Sequence, residues 1–138
     1  MKVITKTKDH KWIMDSGCSR HMSGKSSLFS ELSQQKGGTI TLGDKKKCDI
    51  ISIGKVGTGS QNSIYDVYLV EGLKFNLLSV SQLCDKGHKV VFDKDKCVVQ
   101  DEESGKCILT APRSDNVYTV HTNHVAGESL KCLQGLER

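Results

Sequence analysis

Short apolar blocks, each about the length of a strand and set apart by Gly, Ser, Asp and Lys, run through the middle of the chain. "WIM", Trp12 to Met14, is an apolar run that breaks at the turn-forming "DSG", as a buried strand does on entering a loop. The following "SGKSSLFSELSQQKGG" is rich in Ser and Gly and reads as loop, with one helical turn around Leu28 to Leu32. In "GGTITLGDKKKCDIISIGKVGTG", threonines alternate with Ile40 and Leu42 before a "GDKK" turn and a second β-rich arm, Cys48 to Ile53. That pattern predicts a β-hairpin from Thr39 to Ile53 with a polar, glycine-bearing tip. "SIYDVYLV", residues 63–70, is the densest β-branched and aromatic run and predicts a central strand.

The period changes in "FNLLSVSQLCDKGHKVVF". Leu77 and Leu78 end an apolar stretch, and Ser79 or Ser81 caps a short helix that stops near Gly87, with Lys86 in its last turn. Three short strands follow, "HKVVF", "KCVVQ" and "KCILTA", separated by polar turns and closed by Pro112: a β-meander from His88 to Ala111. Residues 1–10 have no clear period and read as a basic linker able to lend one short strand, while residues 121–138 read as a flexible tail or the start of a following domain. The expected domain therefore spans 11–120, and no internal repeat stands out.

A chain of 138 residues suits one domain that buries roughly two thirds of its unfolded surface. With 36% apolar and 26% charged residues and a mean hydropathy of -0.37, ordered structure is expected mainly in the middle. The net charge of +4 comes largely from lysines, near the start (Lys2, Lys6, Lys8, Lys11) and at Lys45 to Lys47. Aromatics are only 5%, so solvated surface charge is the favoured reading over a nucleic-acid interface, which stays a minor expectation. Six cysteines stand singly with no CxxC pair and no secretory leader, the usage of reduced thiols in the cytoplasm. No run approaches the ~20 apolar residues a membrane span needs, so no membrane partner is expected.

The chemistry centres on Asp15. An acid placed where an apolar strand breaks into a tight turn is partly desolvated, and such acids do proton chemistry. Ser16 can brace the loop with its hydroxyl, and Gly17 lets the backbone pass close to a ligand. Alone the tripeptide is weak, since Asp-[Ser/Thr]-Gly arises by chance in roughly one chain in ten to twenty of this length.

Order and spacing add to it. A strand ending in Asp15-Ser16-Gly17, a glycine-tipped hairpin, a dense strand, and an apolar pair leading into a short helix together resemble the retropepsin family of aspartic proteases. More closely, "WIMDSGCSRHMSG", "LGD", "VYLVEGLKFNLLSVSQLCDKGHKVVF" and "NVYTV" resemble the protease region of a copia-type retrotransposon Gag-Pol polyprotein, over about residues 11–120. The resemblance implies an all-β fold: a retropepsin-like closed β-barrel with one short helix, a flap hairpin and a C-terminal β-meander extension. It implies that Asp15 is the catalytic aspartate, that Ser16 braces the loop across a dimer, and that Gly17 is the turn glycine. Leu42, Gly43 and Asp44 would form the flap tip over substrate, with Cys18, Ser19, Leu77 and Leu78 contacting it. Two departures from the family's pattern stand out: Ser79 stands where an apolar-apolar-glycine motif ends, and Ser19 and Arg20 replace acids common in retroviral members.

Peptide hydrolysis of this kind needs two carboxylates, and the chain offers one Asp-Ser-Gly. A two-fold homodimer supplies the second. The expectation is thus an aspartic endopeptidase that processes the polyprotein containing it, with a polyprotein peptide as substrate, no cofactor and no metal, working in the cytoplasm within virus-like particles. Two rivals belong to other classes. A catalytically silent, RNA-associated assembly module would use the same fold and the lysines of the first arm and of Lys45 to Lys47. A structural zinc would draw on the CxxH of Cys18 and His21, the HxxH of His121 and His124, and Cys132, although none completes a familiar four-ligand spacing. A serine nucleophile at Ser16, Ser23 or Ser79 lacks a G-x-S-x-G elbow, and "GKVGTGS" lacks the Lys-Ser/Thr ending of a phosphate loop.

Overall fold

The computed structural model describes residues 11–34, 38–57 and 63–121. The chain forms β1 (Lys11–Asp15), β2 (Met22–Ser23), β3 (Phe29–Gln34), β4 (Thr39–Thr41), β5 (Lys47–Val56), β6 (Ile64–Val70) and β7 (Asn76–Ser79). One helix, α1 (Val80–Asp85), precedes β8 (His88–Phe92), β9 (Lys96–Asp101), β10 (Cys107–Ser114) and β11 (Val117–His121). The fold is all-β with one short helix. The reading of residues 1–10 as linker lies outside the described residues; of the tail read at 121–138, His121 instead ends β11, paired with Lys11, and 122–138 lie outside them.

The strands pair in the order β3-β5-β6-β2-β7-β1-β11-β10-β9-β8, with β4 on β5. Among the described residues no ladder joins the end strands β3 and β8, so the barrel expected to be closed is open along its hydrogen bonds. It still curls around one core. Trp12 and Met14 of β1, Ile64 and Val67 of β6, Leu78 of β7, Leu83 of α1, and Cys97, Val99, Ile108, Leu109 and Ala111 of the meander pack in a single apolar cluster. The meander is therefore part of the core rather than an appendage. A smaller cluster, Met22, Cys48, Val70 and Leu73, packs with the hairpin residues Ile40 and Leu42.

Strand β7 lies between the sequence-adjacent β1 and β2, parallel to the first and antiparallel to the second. The chain leaving β1 must therefore cross the end of β7 to reach β2. At the opposite end of β7, Gly24, just after β2, allows a close approach: an added Cβ would overlap the Leu73 carbonyl oxygen. Of the two candidate caps for α1, Ser79 is the one used, its hydroxyl accepting from the Gln82 N–H, and Gly87 follows the helix at φ +95°.

Two elements differ from the sequence reading. Where loop and a helical turn at Leu28 to Leu32 were expected, the chain makes a 3₁₀ turn at Ser26–Leu28 and then the strand β3. Only Phe29 of that strand is half-buried, so it shows no apolar alternation; its ladder with β5 forms it, aided by Gly54, where a Cβ would collide with the Glu31 carbonyl. Pro112 does not close the meander but lies inside β10. It sits at the final register pair with β9, Pro112↔Lys96, after which Arg113 pairs with Tyr118 of β11. A residue without an N–H is tolerated at such a strand hand-over.

Candidate active site

Asp15 is the last residue of β1 and faces Ser79 across the parallel β1–β7 ladder. The chain then turns at once: the Gly17 N–H donates to Asp15 Oδ1 at 2.7 Å. This local bond is why Asp-Ser-Gly folds into a tight turn. An added Cβ at Gly17 would lie 3.2 Å from Asp15 Oδ1, so the glycine contributes space beside the carboxylate.

The turn borders a cleft of about 560 Å³. Asp15, Gly17, Cys18 and Ser19 form one wall, Leu42, Gly43 and Asp44 reach it from the tip of the β4–β5 hairpin, and Leu77 comes from β7. Eight of the residues singled out in the sequence thus meet in one place. Ser16 is exposed and lies outside the lining. Leu78 requires a correction: it is fully buried in the main core, because neighbours on a strand face opposite ways and Leu77 takes the cleft side.

Five lining residues were not singled out: Met22, Ile40, Thr41, Leu73 and Phe75. The period-two spacing of Ile40 and Leu42 could have flagged Ile40. Phe75 has no local signal, yet it is 59% exposed, an unusual state for so large an apolar side chain. The hairpin tip is held by Leu42 N–H to Lys46 O at 2.9 Å, Lys45 N–H to Leu42 O at 2.8 Å and Lys46 N–H to Asp44 Oδ1 at 3.1 Å. Among the described residues, the lining carries two carboxylates, Asp15 and Asp44, and no cation.

Behind the wall, the first turn of α1 ties down the loop that follows Asp15. Ser79 Oγ donates to the Cys18 carbonyl at 2.8 Å, the Ser79 N–H donates to His21 Nδ1 at 2.9 Å, and the His21 N–H donates to Gln82 Oε1 at 2.8 Å. The serine that replaces the expected glycine thus binds the loop and caps the helix. Burial, with Lys86 nearby, pushes the His21 imidazole down to about 3, so it is neutral. Burial and the Asp15 charge push the Cys18 thiol up to about 12, which leaves it protonated and a poor nucleophile.

No three His, Cys, Asp or Glu side chains converge as a metal-binding group among the described residues. The CxxH histidine of the zinc reading has its Nδ1 taken up by a backbone N–H, and His124 and Cys132 lie outside the described residues. No helix among them is long and apolar enough to cross a membrane.

Comparison with known proteins adds a family. The family model described as "Pol polyprotein, beta-barrel domain" matches residues 12–88, from the first buried residue of β1 to the start of β8. The putative transposon Ty5-1 protein of Saccharomyces cerevisiae is 32% identical over 77 residues, 56% of this chain and 52% of that protein. The chain thus spans about half the length of this relative. No solved structure matches. The cleft, the turn at Asp15 and the hairpin above it all fall inside the matched segment, and the chain belongs to the Pol polyprotein beta-barrel domain family.

Proposed function

We propose that this chain is the aspartic endopeptidase of a Ty/copia-like retrotransposon Pol polyprotein and acts as a homodimer on peptide segments of that polyprotein. The Pol family and the similarity to a putative transposon protein support the polyprotein context. One observation carries the enzymatic part: Asp15 lines the same cleft as Leu42, Gly43 and Asp44 at the tip of a β-hairpin. A peptide strand laid in that cleft would run between the acid and residues 42–44 of the hairpin.

A second Asp15, brought in by a two-fold axis, completes the chemistry. Two carboxylates about 3 Å apart cannot both ionise cheaply, so they share one proton, the established behaviour of aspartic-protease dyads. One carboxylate takes a proton from water as its oxygen adds to the scissile carbonyl carbon. Its partner gives a proton to the carbonyl oxygen. Collapse of the tetrahedral diol then breaks the C–N bond, with a proton delivered to the departing nitrogen. No cofactor enters. Ser16 is assigned to bracing the two loops across the dimer axis, and the domain to residues 11–120 between linking segments, with processing in the cytoplasm within virus-like particles.

The test is a cleavage assay on purified chain with peptides spanning its own polyprotein. Cleavage inhibited by pepstatin and abolished in Asp15→Asn, with an unchanged circular dichroism spectrum, is the expected result. Cleavage that persists in Asp15→Asn would end the proposal, and an inert wild-type dimer would turn the reading to a silent assembly module.

A further inference from the structure

The CxxH motif finds no use in the chemistry above, yet its histidine is among the most buried polar residues, only 4% exposed. Three contacts meet there. The ring accepts from the Ser79 N–H at the end of β7, the His21 N–H donates to Gln82 Oε1, and the His21 carbonyl accepts from the Tyr68 N–H at 2.9 Å. Gln82, itself buried, donates from Nε2 to the Asp66 carbonyl at 3.2 Å on β6. Ser79 is also the register partner of Asp15.

We propose that His21 is the positioning residue of the candidate active site, a neutral imidazole that fixes the Asp15 loop to β7 and α1; this rests on the protease reading. The geometry explains the residue type. Strand β7 ends at Ser79, and its N–H there meets an imidazole nitrogen where a continuing strand would offer a carbonyl. Since Nδ1 accepts, the ring proton sits on Nε2, and protonating Nδ1 would set N–H against N–H. The charged and titratable groups around the ring are Lys86 at the end of α1, Asp66 on β6, His88 on β8 and Arg20 on its own loop. Three of these four disfavour a charged imidazole, and burial does so more strongly. The loop between β1 and β2 is thereby held from behind at Cys18 and at His21, while Asp15, Gly17, Cys18 and Ser19 border the cleft. A dyad has little tolerance for displacement, because a shift of about 1 Å in a reacting group costs roughly a hundredfold in rate.

His21→Leu keeps the bulk and removes the acceptor; His21→Asn restores an acceptor, Oδ1, close to where Nδ1 stands. Amide hydrogen exchange at residues 16–20, referred to β6 and β10, reads the loop directly, and peptide cleavage reads its consequence. In His21→Leu the loop should exchange at least about tenfold faster while the reference strands do not change, and kcat should fall roughly 10- to 100-fold with KM within about threefold. His21→Asn should bring both back to within about threefold of wild type. Unchanged loop exchange and kcat in His21→Leu, or a His21→Asn no better than His21→Leu, overturns the proposal. If His21→Leu does not fold, His21→Asn decides alone: a folded protein with a protected loop supports the assignment, and one with an open loop overturns it. Selective loop opening in His21→Leu of a protein that cleaves nothing would uphold the positioning role while removing the protease reading.

Discussion

Ser79→Ala isolates the hydroxyl that occupies the place of the expected glycine. In the wild type this oxygen, on a fully buried residue, accepts the Gln82 N–H at 3.1 Å, capping α1, and donates to the half-buried Cys18 carbonyl at 2.8 Å. Losing an N-cap costs about 1 kcal/mol, and losing a buried neutral hydrogen bond about 1 kcal/mol more. The Cys18 carbonyl keeps only the longer contact from Ser81 Oγ at 3.4 Å, too weak to offset much of this. Alanine replaces serine almost without change of volume, so no packing penalty is added. The sum is about 2 kcal/mol, which for a domain of this size lowers Tm by about 8 °C. Urea unfolding followed by the fluorescence of the single tryptophan, Trp12, which is fully buried in the core, measures it. The midpoint should fall at constant m-value. A loss below about 0.5 kcal/mol would mean that Ser79 merely tolerates its position and that the clamp on Cys18 has been overvalued.

Three further expectations follow from the same geometry. Gly24→Ala should destabilise by about 1–3 kcal/mol in the same urea assay, because its Cβ meets the backbone carbonyl of Leu73, which cannot swing aside. The His21 imidazole is depressed from 6.5 to about 3 in the folded state, so between those values the unfolded chain binds more protons and stability falls as pH falls. Between pH 6.5 and 5, above the range of ordinary carboxylates, unfolding free energy should drop by up to about 1.4 kcal/mol per pH unit for this one proton, and His21→Asn should flatten that slope. Iodoacetamide at pH 8 should modify the exposed Cys84 well before Cys18, and Asp15→Asn should quicken alkylation of Cys18 by removing the charge that helps hold its thiol protonated.

How far the sequence anticipated the fold depended on whether local pattern and tertiary demand coincided. They coincide at Trp12 and Met14, both buried on alternate positions before a turn, and at the hairpin, where Thr39 pairs with Asp49 and Thr41 with Lys47 around a glycine tip. They coincide again at Ser79, whose capping role is local chemistry. They part at β3, where an exposed Ser- and Glu-bearing segment is a strand only because β5 offers it an edge. Pro112 misled in the opposite sense, since a ring without an N–H breaks a strand only where a partner needs that donor. At the site, Asp15 and its turn were visible in three letters, whereas Phe75 and Leu73 reach the cleft only through the pairing of β2, β6 and β7. The contacts of His21 were not legible for the same reason: its partners, Ser79 and Gln82, lie 58 and 61 residues away in sequence.

The central claim is that Asp15 works against its own copy from a second chain. A crystal structure of purified protein that cleaves its peptide, taken with a transition-state-mimicking inhibitor bound, tests it most directly through the separation of the two Asp15 carboxylates. The account predicts a two-fold dimer with those groups about 3 Å apart, both facing the inhibitor beneath the hairpins. A single chain holding the inhibitor, or a dimer whose two Asp15 side chains point into separate clefts, contradicts it.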